Sequence, residues 1–355
     1  MITEDQKLMR TIAWLPAKLY ELAYRTRVAA YETEYLGSRR LDATVISVGN
    51  ISVGGTGKTP LACFIASYLK QQDHDVAIIT RGYGRSSTGR RALNVAAEPV
   101  GASQSYREFG DEPLMIARSL PDVPVVIDQD RLGGGRWAED KLGSNVLVLD
   151  DAYQHLRIHR DLNLLVIDAT DPFGGLEMVP FGRLREPLYG LKRADAVIVT
   201  RADKPFDQAQ TAEIIKSYCG PSTPVMYFGS SITALRHLET GRVYDAVDFR
   251  GWNVAVVCGI GNPHAFADDL LNAGINIVAE SFFRDHHAFT QSDLDKVTAQ
   301  SFDAGADAIV TTEKDAVRLE GLVFGSIPLY AARQELQSED DVRFKSLLLR
   351  TVTRR

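Results

Sequence analysis

The sequence is poor in the features that define several large protein classes. Its three cysteines, Cys63, Cys219 and Cys258, lie far apart and form no CxxC pair, which excludes a disulfide framework and a zinc-binding pattern. A formal net charge of −6 argues against a nucleic-acid binder that relies on overall positive charge, and no nucleic-acid partner is expected. The apolar runs are too short for a membrane-spanning helix, which needs about 20 residues.

The N-terminal segment, residues 1–36, also lacks the basic, apolar and cleavage regions of a signal peptide. Apolar residues recur in it at helical spacing, interleaved with basic residues, and Pro16 is expected to kink or restart the helix. Such an amphipathic helix is able to lie in a membrane interface, with Trp14 at the level of the headgroups. The alternative is a first helix that packs on its own core.

What the sequence does have is a regular alternation of apolar strand segments and helical segments. From residue 44 onward, runs such as TVISVGN, NVLVLDD and LNLLVIDA are separated by helical patterns. Uniformly apolar runs are typical of parallel strands that are covered on both faces. The 355 residues exceed what one small core needs, so two domains are expected.

The turn SVGGTGKT, residues 52–59, lies between a predicted strand and a predicted helix and indicates a phosphate-binding loop. Glycines let main-chain N–H groups approach phosphate oxygens, and the helix N-terminus adds a favourable dipole. Lys58 is expected to reach the β and γ phosphates, and the Thr59 hydroxyl to bind Mg²⁺. Ser52 stands where the general motif has glycine. The predicted ATP-binding residues are Gly54, Gly55, Thr56, Gly57, Lys58 and Thr59.

Further metal ligands are expected at the end of a neighbouring strand. NVLVLDD ends in Asp150 and Asp151, and one of them should hold Mg²⁺ directly or through water; the sequence leaves open which one does. Asp168 ends another strand, where a lone aspartate is equally a helix cap. TRAD, residues 200–203, departs from the NKxD guanine motif, so GTP is not inferred.

The predicted fold class is α/β: a P-loop NTPase-like, mostly parallel sheet wrapped by helices, with a second, smaller α/β lobe joined by a β ribbon. The texture of the sequence changes near residue 222 and suggests where the segments divide. They are an N-terminal amphipathic helix (1–36), a P-loop core (37–222), a β-ribbon hinge (223–250), the smaller lobe (251–336) and a charged tail (337–355).

Eight motifs occur in an order and spacing that resembles the tetraacyldisaccharide 4′-kinase family, over roughly residues 10–330. They are VGNISVGGTGKTP, RGYGR, GDEP, LDDAYQH, GRLREP, GIGNP, DHHAF and TTEKDAVRL. The family's own phosphate loop also lacks the first glycine. The family more often has DDGLQH where this chain has DDAYQH, so Ala152 and Tyr153 depart from the pattern and should affect packing more than chemistry.

The resemblance implies ATP-dependent phosphorylation of the 4′-hydroxyl of tetraacyldisaccharide 1-phosphate, which gives lipid IVA. It implies a peripheral enzyme on the cytoplasmic face of a Gram-negative inner membrane, and so favours the interface position of the N-terminal helix. ATP is then the cosubstrate and Mg²⁺ the cofactor. The expected partners are the lipid disaccharide and the membrane surface, with no obligate protein partner. Acyl-chain preference and oligomeric state do not follow from the sequence.

The resemblance also implies a catalytic pair, Asp111 in GDEP and His286 in DHHAF, one acting as base and the other tuning it. From the residues alone, Asp111 at the start of a helix is rather an N-cap. His287 is the alternative partner if the alignment is displaced by one residue. Because Asp111 falls in the expected core and His286 in the smaller lobe, the lobes are expected to close over the substrate about the ribbon.

Other residues are assigned by the same resemblance. Glu186 in LREP resembles a carboxylate near the metal, or is a surface glutamate before a proline turn, so the predicted metal ligands are Thr59, Asp150, Asp151 and Glu186. The predicted substrate-binding residues are Tyr83, Arg131, Gln154 and His155. His155 is alternatively a buried structural histidine. No definite chemical role is assigned to Glu313, Lys314 and Asp315 in TTEKD, for which a contact with adenine and a helix cap are the open alternatives.

Two other function classes are compatible with the phosphate loop alone. A partition-type ATPase would drive partner or membrane association, but Val53 replaces its signature lysine. Such an ATPase also needs no general base for a sugar hydroxyl, so the GDEP and DHHAF motifs argue against it. A metal-carrier GTPase would need a guanine motif, which TRAD does not supply, and His- or Cys-rich tracts, which the sequence lacks.

Overall fold

The computed structural model describes residues 4–83, 85–93 and 106–354, with side chains from residue 16 onward. The chain divides into two compact units. The first comprises Met1–Arg81, Asp128–Gly229 and Ser338–Arg355, and the second comprises Gly82–Ile127 and Ser230–Gln337. The expectation that Asp111 and His286 come from different lobes is therefore not met, because residues 82–127 belong with the second unit.

The described residues form helices and strands in regular alternation. The strands are β1 (Thr44–Gly49), β2 (Val76–Thr80), β3 (Arg91–Leu93), β4 (Val125–Ile127), β5 (Val146–Leu149), β6 (Leu162–Asp168), β7 (Ala196–Thr200), β8 (Val225–His237), β9 (Val243–Asp245), β10 (Asn253–Cys258), β11 (Asn276–Phe282), β12 (Ala308–Thr312) and β13 (Leu329–Gln337). The helices are α1 (Glu4–Glu32), α2 (Lys58–Gln71), α3 (Tyr106–Phe109), α4 (Asp111–Ser119), α5 (Arg131–Leu142), α6 (Gln208–Cys219), α7 (Pro263–Asn272), α8 (Gln291–Asp303), α9 (Glu313–Leu319) and α10 (Asp341–Thr353). Short 3₁₀ turns occupy Gly174–Leu176, Leu188–Arg193 and Ala246–Phe249.

A parallel sheet forms the core of the first unit. Its strands lie in the order β8-β7-β6-β1-β5-β2, and all residues of β1, β2, β5, β6 and β7 are buried, as uniformly apolar runs predict. Leu61, Ile65 and Leu69, at helical spacing on α2, are also fully buried. β5 and β6 flank β1 as parallel neighbours, so the loops that follow β1 and β5 lie at the same edge of the sheet.

Helix α1 is continuous through Pro16, so the expected restart at this proline does not occur. Tyr24 and Val28 are buried and pack with Leu156 of the first unit, which confirms that part of the helix covers its own core. The Trp14 side chain lies outside the described residues. Within the described part of the chain, no helix combines the length and the apolar character needed to cross a membrane.

The second unit contains mainly parallel strands and two antiparallel pairs. β10 lies between β11 and β12, and β12 pairs with β13, all in parallel, while β3 and β4 pair antiparallel. The far end of β8 pairs antiparallel with β9 and forms the predicted ribbon. Leu235 and Phe249 from this region are buried with Val254 and Val256 of β10. The predicted α/β class, with mostly parallel strands and flanking helices, is confirmed.

Candidate active site

The phosphate loop connects β1 to α2, as the sequence predicts. Gly57 precedes α2 with φ 80°, and Gly54 has φ 116°; L side chains rarely adopt either conformation. A Cβ on Gly54 would also meet the guanidinium of Arg183, which would have to move from its hydrogen bond to the Val53 carbonyl. The loop therefore has the backbone that a cradle of main-chain N–H groups requires.

The GRLREP motif holds the first half of this loop. The Val53 N–H donates to the Arg183 carbonyl over 2.7 Å, and the Arg185 N–H donates to the Ile51 carbonyl over 2.7 Å. The Arg183 guanidinium donates in turn to the Val53 carbonyl over 3.1 Å. The motif thus supports the phosphate loop through its backbone as well as its charge.

The TRAD motif, at the end of β7, holds the second half of the loop. The Thr200 hydroxyl donates to the Thr56 carbonyl over 2.9 Å, and the Arg201 guanidinium donates to the Gly55 carbonyl over 2.9 Å. Thr56 is buried, and its hydroxyl accepts a hydrogen bond from Asn50 over 2.9 Å. The Thr56 N–H also donates to the Gly54 carbonyl over 3.1 Å, so both the side chain and the main chain of Thr56 brace the loop. The sequence comparison with NKxD gave no sign of this supporting role.

Lys58 lies against the second aspartate of the LDD motif. Its Nζ is 3.7 Å from Oδ1 of Asp151. The two carboxylate oxygens of Asp151 also accept from the Arg185 guanidinium, Oδ1 over 2.9 Å and Oδ2 over 3.0 Å. Burial would raise the pKa of Asp151, but the charges of Lys58 and Arg185 outweigh it and hold that pKa below its usual value. Asp151 therefore pairs with cations.

The first aspartate of the motif faces the Thr59 hydroxyl. The Thr59 Oγ1 donates to Oδ2 of Asp150 over 3.4 Å. Among the residues that the structure describes, no group of three or more His, Cys, Asp and Glu gathers into a metal site. A hydroxyl, one carboxylate, phosphate oxygens and water suit Mg²⁺, which usually keeps several waters. Thr59 and Asp150 fit this donor set.

Glu186, the remaining predicted metal ligand, is fully buried, so it is not a surface glutamate. It accepts hydrogen bonds from Arg193 over 2.6 Å and from Gln154 over 2.7 Å. Burial raises its pKa to about 7, against the opposing charge of Arg193. Gln154 also donates to the Asn50 carbonyl over 2.7 Å, which links Glu186 to the start of the phosphate loop.

Two predicted substrate-binding residues, Arg131 and His155, line one cavity in the first unit. Arg131 is almost wholly buried and donates to the carbonyls of Asp128 and Asp150, over 2.7 and 3.1 Å, so its burial disfavours direct contact with substrate. Burial, followed by the charge of Arg131, lowers the pKa of His155 to about 4. The cavity has a volume of about 390 Å³, and its other walls include Arg27, Tyr31 and Arg157.

Asp111 and His286 meet in the second unit. Nδ1 of His286 lies 2.9 Å from Oδ2 of Asp111, a carboxylate that is only 5% exposed. Asp111 begins α4, and the N-cap position is Gly110, without a side-chain cap. The N-cap interpretation of Asp111 is therefore wrong. The backbone of His286 has φ 59°, a conformation that is uncommon for a residue with a side chain and is frequent at functional turns.

The two groups of the pair shift each other's pKa. Burial would raise the pKa of Asp111, but the hydrogen bond from His286 and the charges of Lys314 and Arg318 hold it below its usual value. The hydrogen bond to Asp111 raises the pKa of His286, against burial and Lys314. The pair is thus stabilised as a carboxylate that accepts from an imidazole. His287, the alternative, contacts Asp293 over 3.1 Å instead.

Residues of TTEKDAVRL surround this pair, and sequence reasoning gave them no role. Arg318 is buried, with Nε 3.5 Å from Oδ2 of Asp111, and it donates to the carbonyls of Gly259 and His287, over 3.0 and 3.1 Å. Asp315, fully buried, accepts from Arg318 over 2.5 Å and from the Gly259 N–H over 3.1 Å. The motif therefore fixes both the carboxylate and the turn that carries the imidazole.

Tyr83, a predicted substrate-binding residue, lies beside the pair. Its ring centroid is 5.5 Å from that of His286, and the side chain is 64% exposed. Gly84 of the same RGYGR motif lies outside the described residues.

The chain is similar to known proteins over nearly its whole length. A profile of the tetraacyldisaccharide-1-P 4′-kinase family, LpxK, matches residues 9–353. A tetraacyldisaccharide 4′-kinase of Geobacter sulfurreducens is 36% identical over 342 residues, which are 96% of this chain and 93% of the relative. One of Pelobacter propionicus is 38% identical over 304 residues, 86% of this chain and 81% of the relative. The crystal structure of LpxK from Aquifex aeolicus in complex with ATP is 30% identical, with a TM-score of 0.77, over 97% of this chain and 99% of that one.

Proposed function

Because this chain belongs to the tetraacyldisaccharide-1-P 4′-kinase family, we propose that Asp111 and His286 take the proton of the acceptor hydroxyl during phosphoryl transfer from ATP. The activity is the ATP-dependent phosphorylation of the 4′-hydroxyl of tetraacyldisaccharide 1-phosphate, a step of lipid A biosynthesis. The residues 54–59 hold the triphosphate of ATP.

The reaction exchanges one P–O bond for another. The acceptor oxygen forms a bond to the γ phosphorus, the bond from that phosphorus to the β–γ bridging oxygen breaks, and ADP leaves. The hydroxyl proton passes to the Asp111–His286 pair. Lys58 and the main-chain N–H groups of the loop offset the negative charge of the phosphates.

Thr59 and Asp150 are the residues that would hold Mg²⁺. When bound, Mg²⁺ would offset the negative charge of the phosphates. In this proposal Asp151 keeps Lys58 extended along the loop, since Lys58 Nζ and Asp151 Oδ1 are 3.7 Å apart. Glu186 braces Gln154 at the start of the loop through a 2.7 Å hydrogen bond.

The observation that supports the catalytic pair is the 2.9 Å contact between a buried carboxylate and a histidine held at positive φ. A surface histidine would need neither the buried partner nor the uncommon backbone conformation. A carboxylate that takes up a proton beside an imidazole is a common arrangement in general base catalysis. A sugar hydroxyl is a weak nucleophile, so its attack on phosphorus is assisted by a general base of this kind.

A transfer assay tests the activity and the pair together. Purified protein is mixed with labelled ATP, Mg²⁺ and tetraacyldisaccharide 1-phosphate in detergent, and label is expected in the lipid. Asp111→Asn and His286→Gln should each lower turnover by about 10²–10⁴-fold, with nucleotide affinity retained. His287→Gln, the adjacent histidine, is the matched control and should stay within a few-fold of the parent. ATP turnover without label in the lipid would instead indicate an ATPase, and loss of ATP affinity in both variants would remove the pair from catalysis.

We further propose that α1 binds the cytoplasmic face of the inner membrane. Leu19 and Leu22 are 57% and 61% exposed, while Tyr24 and Val28 of the same helix are buried. A helix docked by one set of residues, with leucines left in contact with solvent, suits insertion of those leucines among lipid headgroups. The acceptor is itself a lipid, so the enzyme must work at a bilayer surface.

Vesicle sedimentation tests this membrane contact. Leu19→Gln with Leu22→Gln should lower the fraction bound to vesicles of phosphatidylethanolamine and phosphatidylglycerol. The control is Leu271→Gln, which changes a leucine of similar exposure, 52%, in the second unit. Equal binding of both variants would contradict the interface role of α1.

Tyr83 and the cavity of the first unit are proposed to contact the acceptor. The exposed Tyr83 ring lies next to His286 and is suited to stack on a sugar ring. The cavity walls carry three cations, Arg27, Arg131 and Arg157, and one carboxylate, Asp130, which lies 3.6 Å from Arg157. This excess of positive charge suits an anionic part of the substrate, such as its 1-phosphate. Substitution of Arg157 by Gln should raise the KM for the lipid and leave the KM for ATP unchanged.

A further inference from the structure

One cation from the TTEKDAVRL motif lies against the far side of the catalytic histidine. Nζ of Lys314 is 3.4 Å from Nε2 of His286. The same Nζ is 3.3 Å from Oε1 of Glu112 and 3.7 Å from Oδ1 of Asp285, and the side chain is only 18% exposed. The other ring nitrogen, Nδ1, faces Asp111 at 2.9 Å. The imidazole therefore has a carboxylate on one nitrogen and an ammonium on the other.

These two partners decide where the ring proton lies. An ammonium has only donors, so its contact with Nε2 is favourable when Nε2 carries a lone pair. A carboxylate has only acceptors, so its contact with Nδ1 is favourable when Nδ1 carries the proton. Both contacts thus require the same neutral tautomer, with the proton on Nδ1.

We propose that Lys314 is a positioning residue that holds His286 in the tautomer with Nδ1 protonated, and so directs this proton at Asp111. The inference rests on the proposed role of the pair and assigns different roles to Asp111 and His286. Because Lys314 occupies Nε2, the Asp111 carboxylate is the group left to take the acceptor proton. His286 then acts as the hydrogen-bond donor that supports this carboxylate.

The surroundings of His286 agree with a cation that stays charged. The titratable groups that face the ring are Asp111, Lys314 and Tyr83, with Asp285 in the same turn. Glu112 lies on the far side of the ammonium. Burial would lower the pKa of Lys314, but Glu112, Asp111 and Asp285 raise it above its usual value. Lys314 in turn opposes protonation of His286, since two adjacent cations repel.

The competing interpretation is a purely structural ion pair between Lys314 and Glu112, in which the nearby Nε2 has no part. The two interpretations differ in the state of the imidazole. A structural pair would leave the His286 tautomer unchanged when the lysine is replaced. A positioning lysine would not.

The tautomer is measured directly by NMR. In the full-length protein labelled with ¹⁵N-histidine, the shifts of the two ring nitrogens distinguish a protonated from a bare nitrogen, and His286→Gln assigns the signal. At a pH above the raised pKa of His286, the parent should show Nδ1–H with bare Nε2. Lys314→Met should shift the signal towards protonation of Nε2, and Lys314→Arg should keep the parent pattern. Lys296→Met, an exposed lysine on α8, is the matched control and should change nothing.

Two results would overturn the proposal: an Nε2–H tautomer in the parent, or a His286 signal that Lys314→Met leaves unchanged. Kinetics supply a second measurement. Lys314→Met should lower kcat by about tenfold or more, leave the KM for ATP unchanged, and move the pKa of the pH–kcat profile upward, with partial recovery in Lys314→Arg. An active Asp111→Asn variant would refute the catalytic pair itself, whereas the NMR spectrum alone decides whether Lys314 sets the tautomer.

Discussion

The two units hold their charged groups in different ways. In the first unit, the cation of the phosphate loop, Lys58, is paired with Asp151 at 3.7 Å, a partner that phosphate must compete with. In the second unit, Asp111 is already hydrogen-bonded to His286 and lies within 3.5 Å of the buried Arg318. We infer that Lys58 exchanges Asp151 for phosphate when nucleotide binds, whereas the proposed catalytic pair of Asp111 and His286 is formed before the substrates bind.

The loops around the two sites also differ in what supports them. Main-chain hydrogen bonds from residues 183–185 and the side chains of Thr200 and Arg201 hold the phosphate loop. Buried ionic groups, Asp315 and Arg318, hold the turn that carries His286. Breaking a buried ion pair by removing one partner costs about 3–5 kcal/mol, so the second arrangement should be the less tolerant of substitution.

The largest expected effect concerns the coupling within the pair. If Asp111 and His286 act as a unit, the double variant Asp111→Asn/His286→Gln should have nearly the same kcat as the less active of the two single variants. Each single substitution, with a loss of about 10²–10⁴-fold, already removes the shared function. Steady-state kinetics of the two single variants and the double variant measure this. The combination of Lys58→Met with Asp111→Asn is the control, because Lys58 serves the phosphates and its loss should add to that of the carboxylate. If the fold-losses in kcat of the two single variants multiplied in the double variant, Asp111 and His286 would be acting independently.

A smaller effect tests the backbone of the phosphate loop. Gly54→Ala places a side chain at φ 116° and against Arg183, whereas a Cβ on Gly55 would lie in open space and Gly55 has no left-handed φ. The strain of an unfavourable backbone conformation is about 1–3 kcal/mol, so Gly54→Ala should weaken ATP binding about tenfold or more. Gly55→Ala, one residue away, should stay within a few-fold. Isothermal titration with ATP and Mg²⁺ compares them, and equal losses would mean that loop geometry does not limit affinity.

The sequence predicted best where the relevant residues are neighbours in the chain. The strand, glycine turn and helix around Lys58 are contiguous, and the rule that parallel strands end at one edge brings Asp150 to Thr59. The contact between Asp111 and His286 joins residues 175 positions apart, and only a family resemblance suggested it. Local patterns favoured an N-cap at Asp111, because a carboxylate at a helix start serves either purpose.

The supporting residues were missed for a related reason. Arg201 was compared only with a guanine motif, and its real partner, the Gly55 carbonyl, is 146 positions away. Lys314 belongs to a motif whose meaning depends on the turn at His286. The grouping of residues 82–127 with the second unit was equally invisible, since the chain leaves the first unit and returns to it without a change in composition.

The smallest expected effect separates two histidines, one in each unit. Burial and Arg131 lower the pKa of His155 to about 4, whereas the hydrogen bond to Asp111 raises the pKa of His286. A pH titration of the ring signals by ¹H–¹³C NMR should therefore give a pKa below the usual value near 6.5 for His155 and a pKa above it for His286. Each signal is assigned by replacing the histidine with glutamine.

The two shifts also have opposite consequences for stability. His155 binds fewer protons when folded, so its contribution is complete above pH 6.5 and is lost as the pH falls towards 4. Between pH 6.5 and 5 the free energy of unfolding should fall by up to about 2 kcal/mol more in the parent than in His155→Gln. His286 contributes below pH 6.5, and its contribution is lost as the pH rises through its raised pKa. Urea unfolding at several pH values measures both, and parallel curves for the parent and His155→Gln would show that this histidine is solvated rather than held neutral in the fold.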